Sequence, residues 1–161
     1  DFDKKYLDKF FNFELTKYEK MIKSSHFYDN ENKRDLTIKE ISKISKVLSP
    51  VGCGNILFSD FKFGIFLGST IITFSFDKKF GDIVINFNMD SIFEDKKTKV
   101  IDNLKKVLEK AISIKKEYLI PVIFFGVEPA EDKDTCLLKL DDNVNINLHQ
   151  IIKQILSSVE K

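Results

Sequence analysis

The chain has 161 residues and a mass of 18.7 kDa; 43% of its residues are apolar, 32% are charged, and only six Gly and three Pro are present. This composition excludes disorder, collagen-like repeats and low-complexity linkers, and a chain of this length buries about 70% of its unfolded surface without a disulfide or metal staple. The 26 basic and 25 acidic residues leave a net charge of +1, which argues against a DNA-wrapping or acidic-tail protein.

All the basic residues are Lys except Arg34, Phe is abundant at 16, and Trp is absent. The bias fits an AT-rich bacterial gene. It also has a chemical consequence. Bidentate grip on carboxylate or phosphate, and readout of guanine edges, both rely on Arg. No nucleic-acid partner is therefore expected. No run reaches the roughly 18 apolar residues of a membrane span; the longest, residues 119–127, is strand length and contains Pro121 and Gly126. The missing initiator Met marks a processed or trimmed chain, which leaves room for a removed export signal. Two cysteines, Cys53 and Cys136, fit a reduced cytoplasmic protein better than a stapled secreted one.

Along the chain, residues 3–23 read as a helix, with Leu7, Phe11, Tyr18 and Ile22 on one face. The polar residues 29–35 read as a loop. A second helix begins at the capping-box pair Thr37 and Glu40, with Leu36 and Ile41 as a hydrophobic staple, and Ser49-Pro50 stops it. Strands at 61–67 and 70–76 flank Gly68-Ser69, a two-residue hairpin turn. A third strand at 83–89 alternates Ile83, Ile85, Phe87 and Met89 with polar or smaller residues.

Residues 98–117 form a long amphipathic helix, with Ile101, Leu104, Leu108, Ala111 and Ile112 in register. Residues 118–127 are apolar on both faces and predict a covered central strand. Its hairpin partner is 135–140. A final helix spans 148–159, with Ile151, Ile152, Ile155 and Leu156 inward. The order α-α-β-β-β-α-β-β-α predicts one α+β domain over 1–161, built as an N-terminal helix and loop (1–35) and a core (36–161). About five mostly antiparallel strands pack against helices.

Catalytic signals are thin. Cys53 sits between Gly52 and Gly54, a setting that exposes a thiol in a tight turn, and His26 or His149 would have to supply its base. This is the alternative reading of a small cysteine-dependent enzyme, against a buried structural thiol. No CxxC, HxxxH or HExxH pattern offers a metal site, and the acidic loop lacks the Gly and terminal Glu of a calcium loop. No phosphate loop or dinucleotide fingerprint occurs, so no cofactor is expected.

Three partial resemblances bear on the reading. Residues 36–44 are similar to the first helix of a helix-turn-helix reader, but Pro50, Gly52 and Gly54 break the expected recognition helix and no Lys or Arg lies between Val47 and Phe61. The predicted helix, three-strand meander, helix and strand is similar to the core order of PD-(D/E)xK nucleases. Asn86-Phe87-Asn88 stands where that family needs acid-x-Lys, so two-metal hydrolysis has no site. The fuller order is similar to class I type III secretion chaperones, which implies a non-enzymatic escort of extended segments.

The near-neutral sum hides segregation. Residues 96–120 carry eight basic and three acidic side chains, net +5; residues 121–150 carry two basic and six acidic, net −4. The acidic group is Glu128, Glu131, Asp132, Asp134, Asp141 and Asp142. Opposed patches steer a partner's approach and reject wrong partners. The sequence therefore predicts a cytoplasmic protein-binding module without catalytic residues. Its most concrete form is an immunity protein that neutralises a cognate bacterial toxin, the acidic residues plugging a cationic cleft. A chaperone-like escort is the alternative. Edge strands short of Pro leave room for β-augmentation, either onto a partner or into a homodimer.

Overall fold

The N-terminal segment starts as the predicted helix and then leaves it. In the computed structural model, which describes residues 4–48, 51–79, 81–93, 96–127, 129–142 and 147–159, α1 (Lys4–Phe10) runs into a π turn over Phe11–Leu15 and a 3-10 turn over Thr16–Met21. Leu7, Phe10, Phe11 and Leu15 are buried. The chain then extends as β1 (Ile22–Asp29), which corrects the helix predicted to residue 23. Only Ser25 and Phe27 are buried along β1, while His26 and Tyr28 face out. One Ser and one aromatic carry too little period-2 signal to compete with the helical spacing of Tyr18 and Ile22.

Residues 29–35 form a hairpin, not a loop. β2 (Arg34–Leu36) pairs antiparallel with β1. Asp29 builds the turn: its carboxylate accepts the backbone N–H groups of Glu31 (3.0 Å) and Asn32 (3.2 Å) and the Asn32 side-chain amide (2.7 Å). Lys33 takes φ +51° to complete it.

The capping box forms as predicted, with the Thr37 N–H and hydroxyl both donating to the Glu40 carboxylate at 2.8 Å. What it starts is one 3-10 turn, Ile38–Glu40, because Ile41 and Lys43 are extended. α2 (Ile44–Val47) follows, its start held by Asp8, whose carboxylate accepts the Ser45 N–H (2.9 Å) and hydroxyl (2.6 Å). The predicted stop, Ser49-Pro50, lies outside the described residues.

β3 (Gly52–Phe58) occupies the stretch read as a glycine turn. Gly52, Gly54, Ile56 and Phe58 point inward and are buried. At Gly54 the inward space is filled by Phe27: a Cβ there would lie 2.1 Å from the Phe27 ring. β6 (Thr70–Phe76) pairs with β3 and with β7 (Gly81–Phe87), giving the sheet order β2-β1-β3-β6-β7, antiparallel throughout. Residues 61–67 are therefore not the hairpin partner of β6. They hold two short strands, β4 (Lys62–Phe63) and β5 (Ile65–Phe66), around Gly64 at φ +79°. Gly68, at φ +68°, donates its N–H to the Asp60 carboxylate (2.9 Å) and ends this loop.

Phe supplies much of the core here. Phe11, Phe27 and Phe74 pack mutually with ring centroids 5.7–6.4 Å apart, and Phe61 contacts Phe58 at 5.0 Å and Tyr18 at 5.3 Å. Aromatic pairs at such spacing add to the area they bury.

The chain divides into two compact units, Asp1–Lys62 with Phe66–Ser91, and Phe63–Ile65 with Ile92–Lys161. The first holds the five-stranded sheet. In the second, after α3 (Asp90–Phe93), comes α4 (Lys97–Glu117), close to the predicted span. Val100, Leu104, Val107, Leu108, Ala111 and Ile114 are its buried stripe, whereas Ile101, expected inward, is exposed. β8 (Ile123–Gly126) and β9 (Cys136–Leu140) form a separate two-stranded sheet. This corrects the covered central strand predicted at 118–127: Leu119 is 65% exposed and Phe124 37%. α5 (Leu148–Val159) matches the sequence reading, with Ile151, Ile152 and Ile155 buried and the Asn147 side chain accepting the Gln150 N–H (3.2 Å). The architecture is α+β. The hairpin β1-β2 preceding α2 departs from the chaperone-like and nuclease-like element orders.

Candidate functional site

The acidic residues divide into two groups of different character. Glu131, Asp132 and Asp134 sit on the connection between β8 and β9, with Lys133, and all four are exposed. The loop is closed by its own backbone. Asp132 N–H donates to the Pro129 carbonyl (3.2 Å), Thr135 and Cys136 N–H both donate to the Asp132 carbonyl (3.1 and 2.9 Å), and Val127 N–H donates to the Thr135 carbonyl (3.0 Å). The Thr135 hydroxyl also donates to the Pro129 carbonyl. None of these bonds uses a carboxylate. Among the described residues, the Glu131, Asp132 and Asp134 carboxylates have no hydrogen-bond or ion-pair partner, so the loop presents anionic groups on a shaped backbone. Glu128 lies outside the described residues.

Asp141 and Asp142 are engaged within the chain. Asp142 pairs at 2.6 Å with Lys115, whose side chain is only 10% exposed, and the same ammonium donates to the Ile120 carbonyl at 3.0 Å. Asp141 pairs with Lys139 at 3.5 Å. Lys139 also lies 5.9 Å over the Phe124 ring. A charged group that is nearly buried needs a partner, and no local pattern marks Lys115, one of eight basic residues in its stretch, as the one turned inward.

The basic surface of α4 is likewise partly spent on itself. Lys106 pairs with Asp102 at 2.6 Å and Lys105 with Glu109 at 3.9 Å, both four residues apart on the helix. Lys115 with Asp142 joins the +5 stretch to the −4 stretch. The charge segregation read from the sequence therefore persists as a surface property of the β8-β9 loop.

The thiol reading changes setting. Cys53 is exposed, but on the face of β3 and not in a turn. His26 is exposed on the neighbouring β1, opposite Asn55 and thus offset from Cys53 along the ladder. No hydrogen bond joins the Cys53 thiol to an imidazole among the described residues. His149 is exposed on α5, in the other compact unit. Among the described residues no group of three or more His, Cys, Asp or Glu is placed to hold a metal. The exposed sheet face carrying His26, Tyr28, Cys53, Asn55 and Ile71 was missed at the level of sequence because β1 and β3 were.

Comparison with known proteins places this chain. No curated protein and no solved structure matches it. One family model does, that of the PABL017 Cdi1I immunity protein, over residues 1–143. The match takes in both the five-stranded sheet and the β8-β9 hairpin with its acidic loop, so it is not confined to one element. The chain belongs to the PABL017 Cdi1I immunity protein family.

Proposed function

We propose that this protein is a non-enzymatic inhibitor that binds a cognate bacterial toxin in the cytoplasm, and that Glu131, Asp132 and Asp134 meet a cationic cleft on that toxin. Family membership supports toxin binding. The observation that supports the location is the β8-β9 loop: three exposed carboxylates left unpaired while backbone bonds hold the loop closed. A loop ordered before binding gives up less conformational entropy on docking. Its charge attracts a basic partner over about a Debye length, roughly 8–10 Å at ordinary ionic strength. Asp141 and Asp142, tied to Lys139 and Lys115, belong to the scaffold of the loop in this reading.

Calorimetry with the purified full chain and its cognate toxin domain tests the reading. Saturable binding, with protection of cells that co-express the two, is the expected result. Absence of binding, with unchanged toxicity, would reject it. No helix among the described residues is long and apolar enough to cross a membrane.

A further inference from the structure

β7 ends the five-stranded sheet, and no strand among the described residues pairs with its outer edge. Exposed edges are usually guarded by Lys, Pro, a bulge or shortness. β7 (Gly81–Phe87) has none of these. It is seven residues long, runs in unbroken register with β6, and carries Asp82 as its single charge. The opposite edge is guarded: β2 is three residues long, two of them charged, and β1 beside it has a register shift near Lys23. Ile83, Val84, Ile85 and Phe87 are each half-buried, although the monomer leaves them at a sheet margin.

The strand is also complementary to itself. Antiparallel pairing about a twofold axis normal to the sheet requires that residues on the same face meet. Centred on Val84, this register uses all seven residues. It sets Ile83 against Ile85 of the second copy, Asp82 against Asn86, and Gly81 against Phe87, with Val84 meeting its own copy. No like charges stand opposite one another. The two Asp82 carboxylates lie four residues apart along the strands, about 13 Å at the usual rise. Shifting the centre to Ile83 sets Asp82 against Val84 and shortens the ladder. Shifting it to Ile85 sets Val84 against Asn86.

We propose that the β7 edge binds a second copy of this chain, joining two five-stranded sheets into one across a twofold axis at Val84. The contact is distinct from the acidic loop and does not depend on how the toxin is bound.

Light scattering after gel filtration, at micromolar concentration, tests this. The natural chain is expected to have twice its 18.7 kDa mass. Val84→Lys sets two ammonium groups face to face and should remove the dimer peak. Asn86→Lys sets a cation against Asp82 of the other copy and should slow dilution-driven dissociation. That gain would not follow from mere damage to the fold, and circular dichroism of both variants checks that they fold. A natural chain that is monomeric at these concentrations would overturn the proposal. So would a dimer unaffected by either variant, or a Val84→Lys monomer that has lost toxin binding while the natural chain alone is also a monomer.

Discussion

Gly54 has no side chain because the Phe27 ring fills the space one would need, and the pair sits between two central strands. Gly54→Ala should push Phe27 off its contacts with Phe11 and Phe74. Overpacking of this kind costs about 1–3 kcal/mol, so thermal unfolding should shift down by roughly 2–4 °C per kcal/mol. A melting temperature equal to that of the natural chain would show that the core yields freely at this point. The residue scale also fixes a pH dependence. Asp29 is held below its ordinary value first by the Asn32 side-chain amide, and Glu40 first by the Thr37 backbone N–H. The folded state therefore prefers both carboxyls charged, and the unfolded chain takes up protons first as pH falls. Their stabilisation is present above the ordinary carboxylate range and is lost as pH drops through the lowered folded-state values. Melts from neutral pH to about pH 3 should show a steeper decline for the natural chain than for Glu40→Gln. Parallel curves would contradict this assignment.

Among the elements, those written in a full amphipathic period were legible, and those resting on glycine or Ser were not. α4 and α5 matched their predicted spans, and the Thr37–Glu40 box was found where the spacing put it. β3 was hidden because its inward positions 52 and 54 are glycines; at Gly54 the space of a side chain is taken by the ring of Phe27, 27 places earlier, which no local pattern carries. The end of α4 shows the same limit. The Ile120 N–H donates to the Lys115 carbonyl (3.0 Å) across Tyr118 and Leu119, and Leu119 stands at φ +51° where glycine usually does. Left-handed backbone costs a non-glycine residue about 1–2 kcal/mol, and glycine loses about 0.5–1 kcal/mol through the unfolded chain. Leu119 is largely exposed, so Leu119→Gly should stabilise by about 0.5 kcal/mol net. Denaturant titration reads this as a higher midpoint at unchanged slope; a lower midpoint would mean that the Leu119 side chain makes contacts that matter more than its backbone.

For the molecule as a whole, charge pattern carried more functional information than any motif. The acidic stretch 121–150 was visible in the sequence, and Glu131, Asp132 and Asp134 stand exposed within it. The sequence did not show that Asp142 would be drawn to a nearly buried Lys115, because burial of one lysine among eight depends on the turn after α4. Nor did it show that the β7 edge stays free, which follows from β8 and β9 forming a separate two-stranded sheet instead of joining the five strands. The absence of a motif-level catalytic set left binding as the leading reading, and the immunity-protein family agrees with it.

In the proposed function the acidic loop steers and seats the toxin. This role is tested most directly by the association rate of toxin with the combined Glu131→Gln, Asp132→Asn and Asp134→Asn variant, followed by stopped flow at low and high salt. Electrostatic steering raises association by about 10–1,000-fold. The variant is expected to associate at least about tenfold more slowly at low salt, and the gap to close as salt rises. An association rate equal to that of the natural chain at low salt would contradict it.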